Sequence, residues 1–161
     1  LGNDPYAHER LRRSLKDVQK EFDFCFIDTP PSLGWLTQSA FFASQHSLIC
    51  AIPEAYSVIA LRRLKEFQAS IRQYHEIGVF GVILSFWDGR GAVNQAFLQE
   101  IESSFPNKLF QAKIRRDMGV SRAILKGQTV FETDRQGRAA SDYCILIQEF
   151  LERHTPSFSH G

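Results

Sequence analysis

From Phe24 to Pro31 the chain reads Phe-Cys-Phe-Ile-Asp-Thr-Pro-Pro: an apolar run, an acid, and two prolines almost at once. The run, taken from Phe22 to Asp28, predicts a buried parallel strand. The prolines forbid a helix directly after it, since each lacks an amide hydrogen and restricts the residue before it. The chain must therefore turn at the strand's carboxyl end, where open α/β sheets bind their ligands. A carboxylate emerging there, Asp28, can hold a magnesium-bound water or sense a γ-phosphate. The competing reading is an aspartate that caps a helix or stabilises a turn. The Thr29-Pro30-Pro31-Ser32 continuation favours the first reading, because a stiff loop can report on a bound phosphate.

Strands and helices alternate along the rest of the chain. Helices are predicted over Asp4–Lys20, Leu33–Ala43, Tyr56–Tyr74, Ala92–Phe105, Ser121–Lys126 and Ala139–Arg153. Strands are predicted over Ser47–Ile52, Val79–Phe86 and Lys108–Ala112. That pattern gives an α/β fold, a mostly parallel sheet flanked by helices as in P-loop NTPases. Such folds usually open with a strand and a glycine-rich phosphate loop, whereas this chain opens with a helix. The expectation is an amino-terminally truncated domain over 1–153, followed by a polar tail over 154–161. The chain begins at Leu1 and its only methionine is Met118, which also suggests an incomplete translation product.

Composition narrows the class further. At 161 residues, 43% hydrophobic and 23% charged, the chain suits one domain with a real core. No apolar run approaches a membrane span, and no signal peptide is visible. Cys25, Cys50 and Cys144 are scattered in apolar context, so they are expected to be reduced core thiols, and no Cys-x-x-Cys pair exists for zinc. The five histidines are dispersed and no Gly-x-Ser-x-Gly elbow is present. Charge, by contrast, is uneven. Residues 111–138 carry seven basic and three acidic side chains, a local +4 within a chain of net +1. Such a patch points to a polyanion, the alternative being a solvated face that binds nothing.

Two further stretches could carry chemistry. Phe86 and Trp87, at the end of a predicted strand, could wall a base pocket or simply pack in the core. Arg90, on the glycine-flanked loop that follows, could reach phosphate. In Lys113-Ile114-Arg115-Arg116-Asp117, one arginine could face a nucleotide and the other solvent or DNA, or they could form a surface salt bridge with Asp117.

Taken in order, these segments resemble the ParA/Soj-type partition ATPases of the MinD/ParA deviant Walker class. Residues 22–33 resemble the family's "YDYIIIDTPPSL", and Leu36 to Ala40 its "LTxxAL". Residues 53–61 resemble "PxEYYALxGL", and 81–90 resemble "GVLLTMFDxR". Ile114 to Val130 resemble "IPRNxxLSEAxxxGxPV", and Gly137 to Tyr143 resemble "SRGAxAY". The match runs from about Phe22 to Phe150. The resemblance implies ATP and magnesium binding, a nucleotide-sandwich homodimer, non-specific DNA binding and stimulation by a ParB-type partner. It also implies a cytoplasmic, nucleoid-associated protein; the tail is not a basic amphipathic anchor, so no membrane partner is expected.

Residue by residue, the resemblance makes Asp28 the catalytic switch acid, contacting the metal through water. It assigns nucleotide contacts to Asp28, Thr29, Pro30, Phe86, Trp87, Ile114, Arg115 and Arg116, and DNA contacts to Arg90, Lys113, Arg115, Arg122 and Lys126. Three departures qualify this. The "KGGxGKT" loop and the "DxDxQ" segment are absent, so the chain as it stands should neither bind ATP tightly nor hydrolyse it. Arg115 replaces the proline of "IPR". Gly119 and Arg122 stand where many relatives have arginine and glutamate. The alternative is a non-catalytic DNA- or partner-binding module derived from a ParA fold.

Overall fold

The computed structural model describes residues 9–89 and 93–154. The helices are α1 (Glu9–Leu15), α2 (Trp35–Ala43), α3 (Ala55–Arg72), α4 (Val93–Ser104), α5 (Met118–Leu125), α6 (Val130–Thr133) and α7 (Arg138–His154). The strands are β1 (His46–Ala51), β2 (Gly78–Trp87) and β3 (Leu109–Arg115), in one sheet of order β1-β2-β3. β2 and β3 pair in parallel, with Val82 opposite Leu109, Leu84 opposite Lys113 and Trp87 opposite Arg115. The α/β expectation therefore holds. No helix among the described residues is long and apolar enough to cross a membrane.

The chain divides into two compact units. The first comprises residues 1–48 and 59–80. Phe41, Ile71 and Ile77 form its core, joined by Phe42, Leu64 and Phe67, and the rings of Phe41 and Phe67 meet edge to face at 5.3 Å. Amphipathic spacing on α3 delivers Leu64, Phe67 and Ile71 to one side. Buried Gln68 donates to the Ser47 hydroxyl (2.7 Å), which satisfies its amide.

The second unit comprises residues 49–58 and 81–161. Val82 and Leu84 of β2, Phe97 and Ile101 of α4, and Phe110 of β3 are all fully buried. A smaller cluster of Ala123, Val130, Ala139 and Ala140 ties α5, α6 and α7 together. Here β3 runs three residues past the predicted Ala112, to Arg115.

Three expectations are corrected. Phe22 to Asp28 is not a strand, and it is exposed, with Phe22 at 64% and Phe26 at 70%. A strand exists only through its ladder, and among the described residues no strand pairs with this segment. The rings of Phe24 and Phe26, two residues apart, stack at 6.3 Å. The three cysteines are exposed rather than core thiols. Cys25 lies in that unpaired segment, Cys50 points opposite to buried Ile49 and Ala51 on β1, and Cys144 lies on the outward side of α7. Finally, the first helix stops at Leu15, followed by a 3-10 turn over Val18–Lys20. The start of that predicted helix lies outside the described residues.

Candidate functional site

The carboxyl ends of β2 and β3 lie side by side, with Trp87 and Arg115 in register. This brings Phe86, Trp87, Lys113, Ile114, Arg115 and Arg116 together. Lys113 places its ammonium 5.2 Å from the centroid of the Trp87 ring, and Arg116 its guanidinium carbon 5.8 Å from that of Phe86. Both are within cation–π range. Phe86 is half exposed and has a φ of 52°, the left-handed region that a bulky residue rarely occupies. Strain of this kind persists only where surroundings hold it, and it concentrates at functional sites. Ile114 is buried and packs inside the sheet.

The two adjacent arginines are treated differently. Arg115 is held by buried Asp142 of α7. Its backbone amide donates at 3.0 Å, its Nε at 3.0 and 3.1 Å, and its Nη2 at 2.5 Å. Hydrogen bonding to Asp142, opposed by burial, raises the Arg115 pKa. Burial pushes the Asp142 carboxyl up, but hydrogen bonds from Arg115 outweigh it and hold the group below its ordinary range. Asp117 pairs with neither arginine of the tandem. Its Oδ1 accepts from the Gly119 amide (2.7 Å), capping α5, and its Oδ2 accepts from Arg138 Nε (3.0 Å). The Gly119 amide is the main reason its pKa is lowered.

Helix α5 carries Arg122, and Lys126 is its C-cap, both exposed. It closes in a Schellman turn: the Gln128 amide donates to Ala123 O (3.0 Å), the Gly127 amide to Ile124 O (2.9 Å), and Gly127 takes φ 63°. Arg90 lies outside the described residues. Asp28, Thr29 and Pro30 belong to the first unit and are exposed. There the Thr37 hydroxyl donates to Ser32 O (2.5 Å), anchoring the Pro-Pro turn to α2.

Asp142 and Arg138 were not singled out from sequence. One pattern pointed at the first: Asp142 and Glu149, seven residues apart, share one face of α7, and both accept hydrogen bonds from β3 backbone amides.

Among the described residues no three His, Cys, Asp or Glu side chains cluster as a metal cage. Asp28 is a single exposed carboxylate on the first unit. The 161 residues also contain no glycine-lysine phosphate loop. The second unit thus gathers aromatic and cationic side chains at the ends of β2 and β3.

An AAA domain family model matches residues 3–78. A ParA family protein of Chlamydia muridarum is 48% identical over 151 residues, covering 94% of this chain and 59% of that protein. The chromosome partitioning protein ParA of Myxococcus xanthus is 28% identical over 158 residues, covering 97% of this chain and 56% of its own length. In fold, an ATP complex of a Cyanothece McdA variant superposes with a TM-score of 0.74 at 21% identity, covering 91% of this chain and 58% of that one. The architecture is thus that of a P-loop NTPase-like α/β protein. The chain is similar to ParA family proteins over nearly its whole length, and it spans less than two thirds of each relative's length.

Proposed function

We propose that this chain works in ParA-type partitioning of plasmid or chromosomal DNA, as part of a cytoplasmic, nucleoid-associated ATPase. In this reading the protein binds ATP with magnesium and forms a homodimer. The dimer holds DNA without sequence preference, and a ParB-type partner stimulates it to hydrolyse ATP. The observation that carries the reading is the paired cation–aromatic end of β2 and β3 in a chain with ParA-family relatives.

Asp28, through water, would hold the magnesium that ATP brings, with Thr29 and Pro30 shaping the loop beside the phosphates. Phe86, Trp87 and Arg116 would face the base, with Ile114 supporting them from the core. Lys113, Arg122, Lys126 and Arg90 would contact DNA phosphates, which gives affinity without sequence preference. Arg115 would serve either ligand only through its locked position beside Asp142.

Binding of a fluorescent ATP analogue tests the nucleotide half. A protein joining this chain to a ParA phosphate-loop segment should bind the analogue with magnesium, and Arg116→Ala should weaken that at least tenfold. Equal binding by the Arg116→Ala protein would contradict the assignment. A joined protein that binds no nucleotide would favour the non-catalytic module.

A further inference from the structure

We propose that Asp142 and Arg138, on the first turns of α7, are positioning residues that fix the β3–α5 connection so that Arg116 stands over Phe86. The proposal rests on the reading that Arg116 faces the nucleotide, but its geometry is independent of any ligand.

The connection is two residues, Arg116-Asp117, entered from Arg115 at the end of β3, and α7 ties down all three. Asp142 takes the amide and the guanidinium of Arg115. Arg138 Nη2 donates to the Arg116 carbonyl (3.1 Å), and Arg138 Nε donates to Asp117. Asp117 in turn caps α5. What remains pointing outward from the tripeptide is the Arg116 side chain, and it lies by the Phe86 ring. Successive side chains at a strand end point to opposite sides, so Arg115 and Arg116 diverge where β3 ends. Locking one to a buried carboxylate leaves the other to be presented.

Arg115 makes this lock possible. The motif that the segment resembles has proline at this position. Proline would fix φ covalently, but it has no amide hydrogen to donate. Here the amide is present and Asp142 accepts its hydrogen, so a hydrogen-bonded carboxylate does the work of a ring. The two residues form one unit: Asp142 is 5% exposed, and without Arg115 its charge would be buried and uncompensated.

The test is the side-chain Nε–Hε resonance of Arg116 in arginine-labelled protein. The signal is assigned by its loss in Arg116→Lys, and its ring-current displacement by the change in Phe86→Leu. The wild-type signal should be displaced. Arg138→Gln, at an exposed position that leaves the core intact, should remove most of that displacement while the protein still melts cooperatively. Asp142→Asn should do the same. In Arg115→Pro/Asp142→Leu the ring replaces the carboxylate, and the displacement should return. A displacement that persists in folded Arg138→Gln, or that is absent in the wild type, overturns the proposal. Adding ATP and magnesium to the joined protein then tests the underlying reading alone: an Arg116 signal that is displaced but unmoved by nucleotide leaves the positioning intact and contradicts the nucleotide contact.

Discussion

Arg153 of α7 sets its guanidinium carbon 4.0 Å from the ring centroid of Phe110 on β3. Its Nη2 also donates to Leu109 O and to Glu149 Oε1, each at 2.6 Å. Glu149 then accepts from two successive β3 amides, Gln111 (2.9 Å) and Ala112 (2.8 Å). Those amides lie where the pairing with β2 slips, between the Val82–Leu109 and Leu84–Lys113 partners. A helix thus closes the edge of the sheet with side chains where another strand would otherwise pair.

Removing Glu149 should be costly for that reason. An amide left without a partner costs about 1–3 kcal/mol, so Glu149→Ala should lower unfolding free energy by roughly 2 kcal/mol. Urea denaturation measures it. Glu149→Gln keeps one acceptor oxygen and should lose about half as much. A neutral Glu149→Ala would show that water replaces the carboxylate at no cost.

Acid should loosen the same contact. For both Asp142 and Glu149, burial pushes the carboxyl up, but hydrogen bonds from β3 and the charge of an arginine outweigh it, so each pKa is lowered. A lowered folded pKa means stability that is fully present above the unfolded value, about 4. That stability is lost as pH falls through the folded value. Hydrogen exchange at Gln111, Ala112 and Arg115 should therefore accelerate, beyond its intrinsic pH dependence, below about pH 4. Glu149→Gln should flatten the effect at the first two amides and leave it at Arg115.

Gly81 marks the tightest packing on β2. A Cβ there would run into the Phe110 ring and lie 3.1 Å from the Lys108 carbonyl oxygen. Gly81→Ala should destabilise the protein by about 1–3 kcal/mol, and adding Phe110→Leu should recover part of it. Thermal unfolding of the single and double variants checks the coupling.

The four-residue helix α6 depends on its cap. The Thr129 hydroxyl accepts from the Glu132 amide (3.3 Å), and the Glu132 carboxylate accepts from the Thr129 amide (2.7 Å). Thr129→Ala should cost about 1 kcal/mol and Thr129→Ser much less. Chemical denaturation distinguishes them.

How much of this was legible depended on how local its cause was. β2 and α3 followed from β-branched density and from 3.6-residue spacing, and both extend within two residues of their predicted bounds. Helix α6 was missed although its Thr129–Glu132 box was present, because four residues show no period. The Phe22–Asp28 strand was predicted from apolarity alone, and a strand also needs a neighbour. The cysteines were misjudged because apolar context in sequence does not say which face of a strand or helix a residue occupies. At the site, the aromatic–cationic composition of β2 and β3 could be read directly. Which arginine would be locked could not, because Asp142 lies twenty-seven residues from Arg115 and meets it only through the packing of α7 on β3.

The proposed place of this chain in a nucleotide-gated DNA-partitioning cycle can be checked by DNA binding in a matched pair. One member is this chain; the other is this chain joined to a ParA phosphate-loop segment. Each is titrated against duplex DNA of unrelated sequence with ATP, with ADP and without nucleotide. Only the joined protein should bind, only with ATP, and Arg122→Glu/Lys126→Glu should weaken binding and its salt dependence. DNA binding by the short chain that ignores nucleotide would contradict that proposal and establish a stand-alone binding module instead.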